Sequence, residues 1–144
     1  METKRQEHGA RRTERAGEGA PQPIRGFRDL DVYKLAYQLA MQVFQVSKSF
    51  PPEERYSLTD QVRRSSRSVA SNIAEGYRKR RYPKSFVSKM ADADGEGSET
   101  QVWLDFARDC GYLPAAKRDE LCAGYERVGS MLGRMMQYPE RFLP

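Results

Sequence analysis

Histidine, cysteine and tryptophan are nearly absent from this chain, and their scarcity removes most catalytic readings. Its 144 residues hold one His, His8, one Trp, Trp103, and two Cys, Cys110 and Cys122. Di-iron helical bundles need inward-facing Glu-x-x-His pairs, and His8 lies in an N-terminal segment without apolar periodicity. Two cysteines fall short of the four ligands of a structural zinc site. In a chain with no export signal they read as reduced, core-facing thiols. A serine nucleophile finds no histidine in the folded part of the chain to activate it. Long apolar runs are missing too. None approaches the roughly 20 residues of a membrane span, and mean hydropathy is -0.83. Between Met1 and Ile24 there is no Leu, Ile, Val, Met, Phe, Tyr or Trp, so a signal peptide is not expected. Gly95-Glu-Gly97 has neither the strand nor the third glycine of a dinucleotide fingerprint. Asp92, Asp94, Glu96 and Glu99 could imitate a magnesium site, but Asp92 and Asp94 point to different sides of a helix, so a solvated acidic face is the default. The expectation is a cytoplasmic protein with no catalytic residue, no metal, no cofactor and no membrane partner.

What remains is helical periodicity. Residues 1–26 read as a disordered, charged tail, 27–138 as one helical domain and 139–144 as a short C-terminal tail. Asp29 or Asp31 can cap a first helix. Val32, Ala36, Leu39, Val43, Val46 and Phe50 then alternate spacings of four and three, the pattern of a bundle seam. Tyr33, Tyr37, Ala40 and Phe44 form a second stripe beside it, which is either a wide core face or a surface for a further partner. Pro51 and Pro52 stop this helix. Pro83 opens a third helix, whose stripe runs from Phe86 to Ala107 through Gly97. Its glycines, Gly95 and Gly97, suggest close packing. Gly111 suits its C-cap. After Pro114, a fourth stripe runs through Leu121, Tyr125, Val128, Leu132 and Met135. The expected fold is all-α, an antiparallel up-down-up-down four-helix bundle. Its helices should span roughly 30–49, 58–78, 83–110 and 114–137.

The second helix is the unusual one. Leu58, Val62, Val69 and Ile73 make its apolar face, but Ser65 and Asn72 lie inside that face. A buried Asn must find partners for its amide, so Asn72 either sets the register of the helices or belongs to a site. Ser66, Ala70 and Ala74 form a small flank that another helix could approach closely. Arg63, at the edge of the face, suggests an ion pair with Glu99 or with an adjacent subunit. Arg64 and Arg67 should reach solvent, and Arg78, Lys79, Arg80, Arg81 and Lys84 extend positive charge beyond the helix end. From Arg55 to Lys84 nine Lys/Arg face only Asp60 and Glu75. Basic residues with Tyr77 and Tyr82 among them suit phosphate contact and base stacking; a solvated basic turn is the alternative. The expected ligand is RNA or DNA, bound through its backbone by Arg64, Arg67, Arg78, Lys79, Arg80, Arg81 and Lys84. A pure assembly or adaptor module is the competing class.

Several short runs carry a resemblance: Phe27-Arg-Asp-Leu30, Tyr56 with Leu58-Thr59, Gln61-Val-Arg-Arg64, Ser71-Asn-Ile-Ala-Glu-Gly76, Glu99-Thr-Gln101 and Gly111-Tyr-Leu113. The chain resembles the four-helix bundle proteins encoded by intervening sequences of bacterial 23S ribosomal RNA genes. It is also similar to their relative, the accessory variability protein of diversity-generating retroelements. The resemblance spans about Phe27 to Met136, and Asn-Ile-Ala-Glu-Gly is its most specific run. It implies a ring-like homopentamer and, through the retroelement relative, a reverse transcriptase and its RNA template as partners. Tyr33, Tyr37, Phe44, Arg63, Ala70, Asn72 and Ala74 are then the expected structural and subunit-interface residues.

Overall fold

The computed structural model describes residues 23–144. Apart from its last four residues, the expected tail lies outside the described residues, as does His8. Four helices follow in order: α1 Asp31–Ser47, α2 Asp60–Arg78, α3 Pro83–Asp109 and α4 Ala115–Gln137. Each end falls within two residues of the sequence expectation, and the described residues contain no strand. α2 packs between α1 and α3, and α4 closes the bundle against the same two helices. The connections are short, so neighbours run antiparallel. The core takes the expected stripes, with Val43, Val62, Ile73, Phe86, Leu104 and Leu132 among its fully buried side chains. The segment after α4 turns back, and Phe142 stacks on Phe86 at 5.3 Å between ring centres.

The helix ends differ from expectation in instructive ways. Neither Asp29 nor Asp31 caps α1: the N-cap is Leu30 and no side chain bonds there. The Asp29 carboxylate instead accepts the Arg25 N–H at 2.8 Å, closing the preceding turn and holding its pKa below the usual value. Asp31 stands in the first turn, where its charge suits the helix dipole. α2 is entered through a wide π-turn over Arg55–Thr59, which buries Leu58 before regular pairing starts. α3 ends as expected. Gly111 has φ of +84°, and the N–H groups of Gly111 and Tyr112 bond the carbonyls of Arg108 and Ala107, a Schellman closure.

Gly97 is buried as expected, and a Cβ there would lie 3.7 Å from Tyr125 Cδ1, but the tightest helix contacts fall at two other glycines. A Cβ at Gly95 would meet nothing within 4 Å, whereas one at Gly76 would lie 2.7 Å from Met90 Cε. At Gly124 it would lie 2.5 Å from Leu39 Cδ2. Gly76 therefore fixes how tightly α2 sits on α3, and Gly124 does the same for α4 on α1. Of the two polar residues in the α2 stripe, only Ser65 is buried. Its hydroxyl shares a 2.8 Å hydrogen bond with Thr100, and Thr100 also donates to the Glu96 carbonyl at 2.8 Å. Asn72 is half-buried and its amide nitrogen is paired within its own helix, donating to Ser68 O at 2.9 Å. Its second amide N–H reaches the Ser68 hydroxyl at 3.1 Å, so both donors are used within α2.

Candidate nucleic-acid interface

The arginines that the sequence groups together diverge in space. Arg64 turns toward α3, where Glu96 Oε1 lies at 3.3 Å and Glu99 makes a close ion pair. The Glu99 hydrogen bond pushes the Arg64 pKa up. Glu99 itself is held below its usual value, first by the Trp103 indole N–H and then by Arg64. The partner of Glu99 is thus Arg64 and not Arg63. Arg63 turns toward α1, where its Nε donates to the buried Ser47 hydroxyl at 2.7 Å. Its guanidinium also lies 4.8 Å from the Phe44 ring centre. Lys48 and Arg67 approach the same ring at 4.9 and 5.8 Å. Phe44 is therefore a ledge for three cations, an arrangement whose only trace in the sequence is the helical spacing of those residues.

The α2–α3 turn behaves differently. Arg80 folds back over Tyr77 at 4.1 Å and donates to the Tyr77 carbonyl at 3.0 Å. Arg78, Lys79, Arg81 and Lys84 are exposed, and their side chains have no acidic partner among the described residues. Glu75, the nearest carboxylate on α2, is paired with Lys89 at 3.0 Å. The two tyrosines also separate: Tyr77 is 7% exposed and belongs to the core, whereas Tyr82 is 63% exposed. A compact cationic cap with one free aromatic ring therefore closes the bundle end where α2 meets α3.

The expected interface residues fall into three groups. Tyr33 packs edge-on against Phe27 at 5.1 Å and is half-buried, as are Phe44, Asn72 and Ala74. Ala70 is 8% exposed and packs in the core. Tyr37 stands 53% exposed, with Met41 beside it at 45%. Cys122 is buried and its thiol pKa is raised by burial, but Cys110 is exposed, against the expectation that both face the core.

A polar groove of about 360 Å³ runs between α3 and α4, lined by Asp94, Gly97, Ser98, Tyr125, Glu126 and Gly129 among others. Gln101 spans part of it, donating to Glu126 at 2.9 Å. The acidic run of α3 is thereby divided. Glu96 and Glu99 face Arg64, Asp94 faces the groove, and no three His, Cys, Asp or Glu side chains converge as a metal site among the described residues.

These features define a helical-bundle protein whose distinguishing surface is an unpaired basic cap. The chain belongs to the family of 23S rRNA-intervening sequence proteins, whose family model matches residues 28–134. A solved structure from Bacteroides thetaiotaomicron, a protein of unknown function from the S23 ribosomal protein family, is similar in fold with a TM-score of 0.66 and 19% identity. The match covers 74% of this chain and 95% of that one. No curated protein matches the chain. No helix among the described residues is long and apolar enough to cross a membrane.

Proposed function

We propose that this protein is a non-enzymatic accessory module that binds the backbone of RNA or DNA through its α2–α3 turn. The observation that supports this is selective pairing. Arg63, Arg64 and Arg80 are each tied to a neighbour, while Arg78, Lys79, Arg81 and Lys84 are left together without carboxylates. Cations with no partner in the fold keep their full charge for phosphate, and contacts of this kind carry little sequence preference. Arg67, resting over Phe44 without a carboxylate, stands apart and contributes at most a peripheral contact. A reverse transcriptase bound to its RNA is the protein partner that the retroelement resemblance suggests.

The test compares the wild type with a variant carrying Arg78→Ala, Lys79→Ala, Arg81→Ala and Lys84→Ala, titrated with single-stranded RNA and duplex DNA at two salt concentrations. Each phosphate contact contributes a log-log salt slope of about -0.7 to -0.9. Four lost contacts should therefore flatten the slope by about 3 and weaken binding at low salt by orders of magnitude. Equal affinity in the variant would show that the turn is only a solvated cap.

Assembly forms the second part of the proposal. Tyr37 and Met41 place apolar surface on the outside of α1, and exposed apolar patches mark interfaces. We propose a homo-oligomer, with five copies the number suggested by the family resemblance. A ring would repeat the basic cap in every subunit and combine weak contacts through effective concentration. Light scattering after size exclusion should report several copies; a monomer at micromolar concentration would refute this part.

A further inference from the structure

We infer that the basic cap selects single-stranded nucleic acid over duplex, with Tyr82 as the platform on which one base stacks. This rests on the proposal that the cap binds nucleic acid, and it names the form of nucleic acid that the cap takes. Three features of the turn lead to it. Tyr82 is 63% exposed and makes no ring contact, ion pair or hydrogen bond with its side chain among the described residues. Its backbone is extended, at φ -112° and ψ 94°, the conformation that a following proline enforces. The ring is thus carried off the end of α3 by Pro83 instead of lying along the helix. Its sequence neighbours are Arg81 on one side and Lys84 two residues on, both exposed and unpaired.

The contrast with the other aromatics is informative. Tyr77, five residues earlier, is also flanked by cations, but its ring is buried and covered by Arg80. Phe44 is covered by Lys48, Arg63 and Arg67. Of these three rings, Tyr82 alone combines an uncovered face with unpaired cations beside it. α3 also begins within this cluster, so the partial positive charge of its N-terminus adds to the same field.

That combination is chemically selective. A duplex offers phosphates, which Arg78, Lys79, Arg81 and Lys84 can contact, but its base faces are stacked on one another and closed to a side chain. A single strand offers phosphates and open base faces together. The duplex should therefore gain only the ionic part of the interaction, and the single strand should gain stacking as well.

The experiment uses fluorescence anisotropy of the full chain with a labelled oligouridylate and with an RNA duplex of equal length, at low salt. The proteins are wild type, Tyr82→Ala, Tyr82→Phe and Tyr56→Ala. Tyr56 is 73% exposed but lies in the π-turn that precedes α2, away from the α2–α3 turn, and so controls for loss of a surface ring. Base-aromatic stacking corresponds to about a 5- to 100-fold change in affinity per base. The expected result is that Tyr82→Ala weakens oligouridylate binding by that factor and leaves duplex binding unchanged. Tyr82→Phe, which keeps the ring and removes the hydroxyl, should match the wild type, as should Tyr56→Ala. An oligouridylate affinity for Tyr82→Ala within twofold of wild type, or an equal loss on both ligands, overturns the stacking inference while the cationic reading stands. Failure of the wild type to bind either ligand overturns both.

Discussion

Gly76→Ala puts two effects of opposite sign in competition, and the geometry decides between them. In a helix, Ala is favoured over Gly by about 0.8–1 kcal/mol, so an open position would gain stability. Gly76 is not open. The added methyl would lie 2.7 Å from Met90 Cε and 3.0 Å from Lys89 Cβ, whereas carbon atoms in good contact stand about 3.5–4.0 Å apart. Met90 is fully buried, and a close-packed interior leaves its end little space to move into. Overpacking of this kind costs about 1–3 kcal/mol, so with the propensity gain subtracted Gly76→Ala should be destabilising by up to about 2 kcal/mol net. A double-mutant cycle makes the argument exact in sign. Met90→Ala alone should cost about 2–5 kcal/mol, but in that background the closer of the two contacts is gone and only Lys89 Cβ, at 3.0 Å, remains. Gly76→Ala should then become neutral or stabilising by up to about 1 kcal/mol. Urea unfolding of the four proteins measures the coupling. If Gly76→Ala raises stability in the chain that keeps Met90, the close approach of α2 to α3 is not what the glycine serves.

Two further outcomes are expected. Tyr112 donates to Glu54 at 2.7 Å, which lifts its pKa from 10.0 to about 12, so this bond stabilises the fold below pH 10 and is lost as pH rises toward 12. The stability difference between wild type and Tyr112→Phe should therefore shrink between pH 10 and 12 in thermal melts, and a constant difference would count against it. Tyr37→Arg should lower the oligomeric state in light scattering while leaving the circular dichroism melt nearly unchanged, because Tyr37 is 53% exposed; full assembly of the variant would place the interface elsewhere.

The architecture was legible because it depends on repeated signals. Each helix carries a stripe many residues long, bounded by proline or glycine, and one misplaced residue does not move a stripe. The site was less legible because each of its decisions depends on a single side chain and on the helix beside it. Asn72 and Ser65 occupy similar places in the α2 pattern, yet Thr100 waits opposite Ser65 on α3, while Asn72 turns back on Ser68. Arg63 and Arg64 are adjacent in sequence, but successive helical residues point about 100° apart, and that separation sends one to α1 and the other to α3. Gly76 reads from sequence only as a weak last turn; that Met90 lies against it is tertiary information. Ala70 and Ala74 look alike as a small flank, and only Ala70 is buried in the core.

The same geometry accounts for where free charge survives. A cation in the middle of α2 lies within one interhelical spacing, about 8–10 Å, of side chains on α1 and α3. Ser47 and Phe44 on one side, and Glu96 and Glu99 on the other, take up Arg63, Arg67 and Arg64. Toward the end of α2 this supply runs out. Glu75 is used by Lys89, and from Pro83 to Ala91 α3 contains no Asp or Glu at all. None of the five cations between Arg78 and Lys84 has a carboxylate partner among the described residues, and Arg80 alone is held, over Tyr77. Like charges held on one short turn repel. A polyanion laid across the cap would remove the repulsion and gain counterion release in the same step.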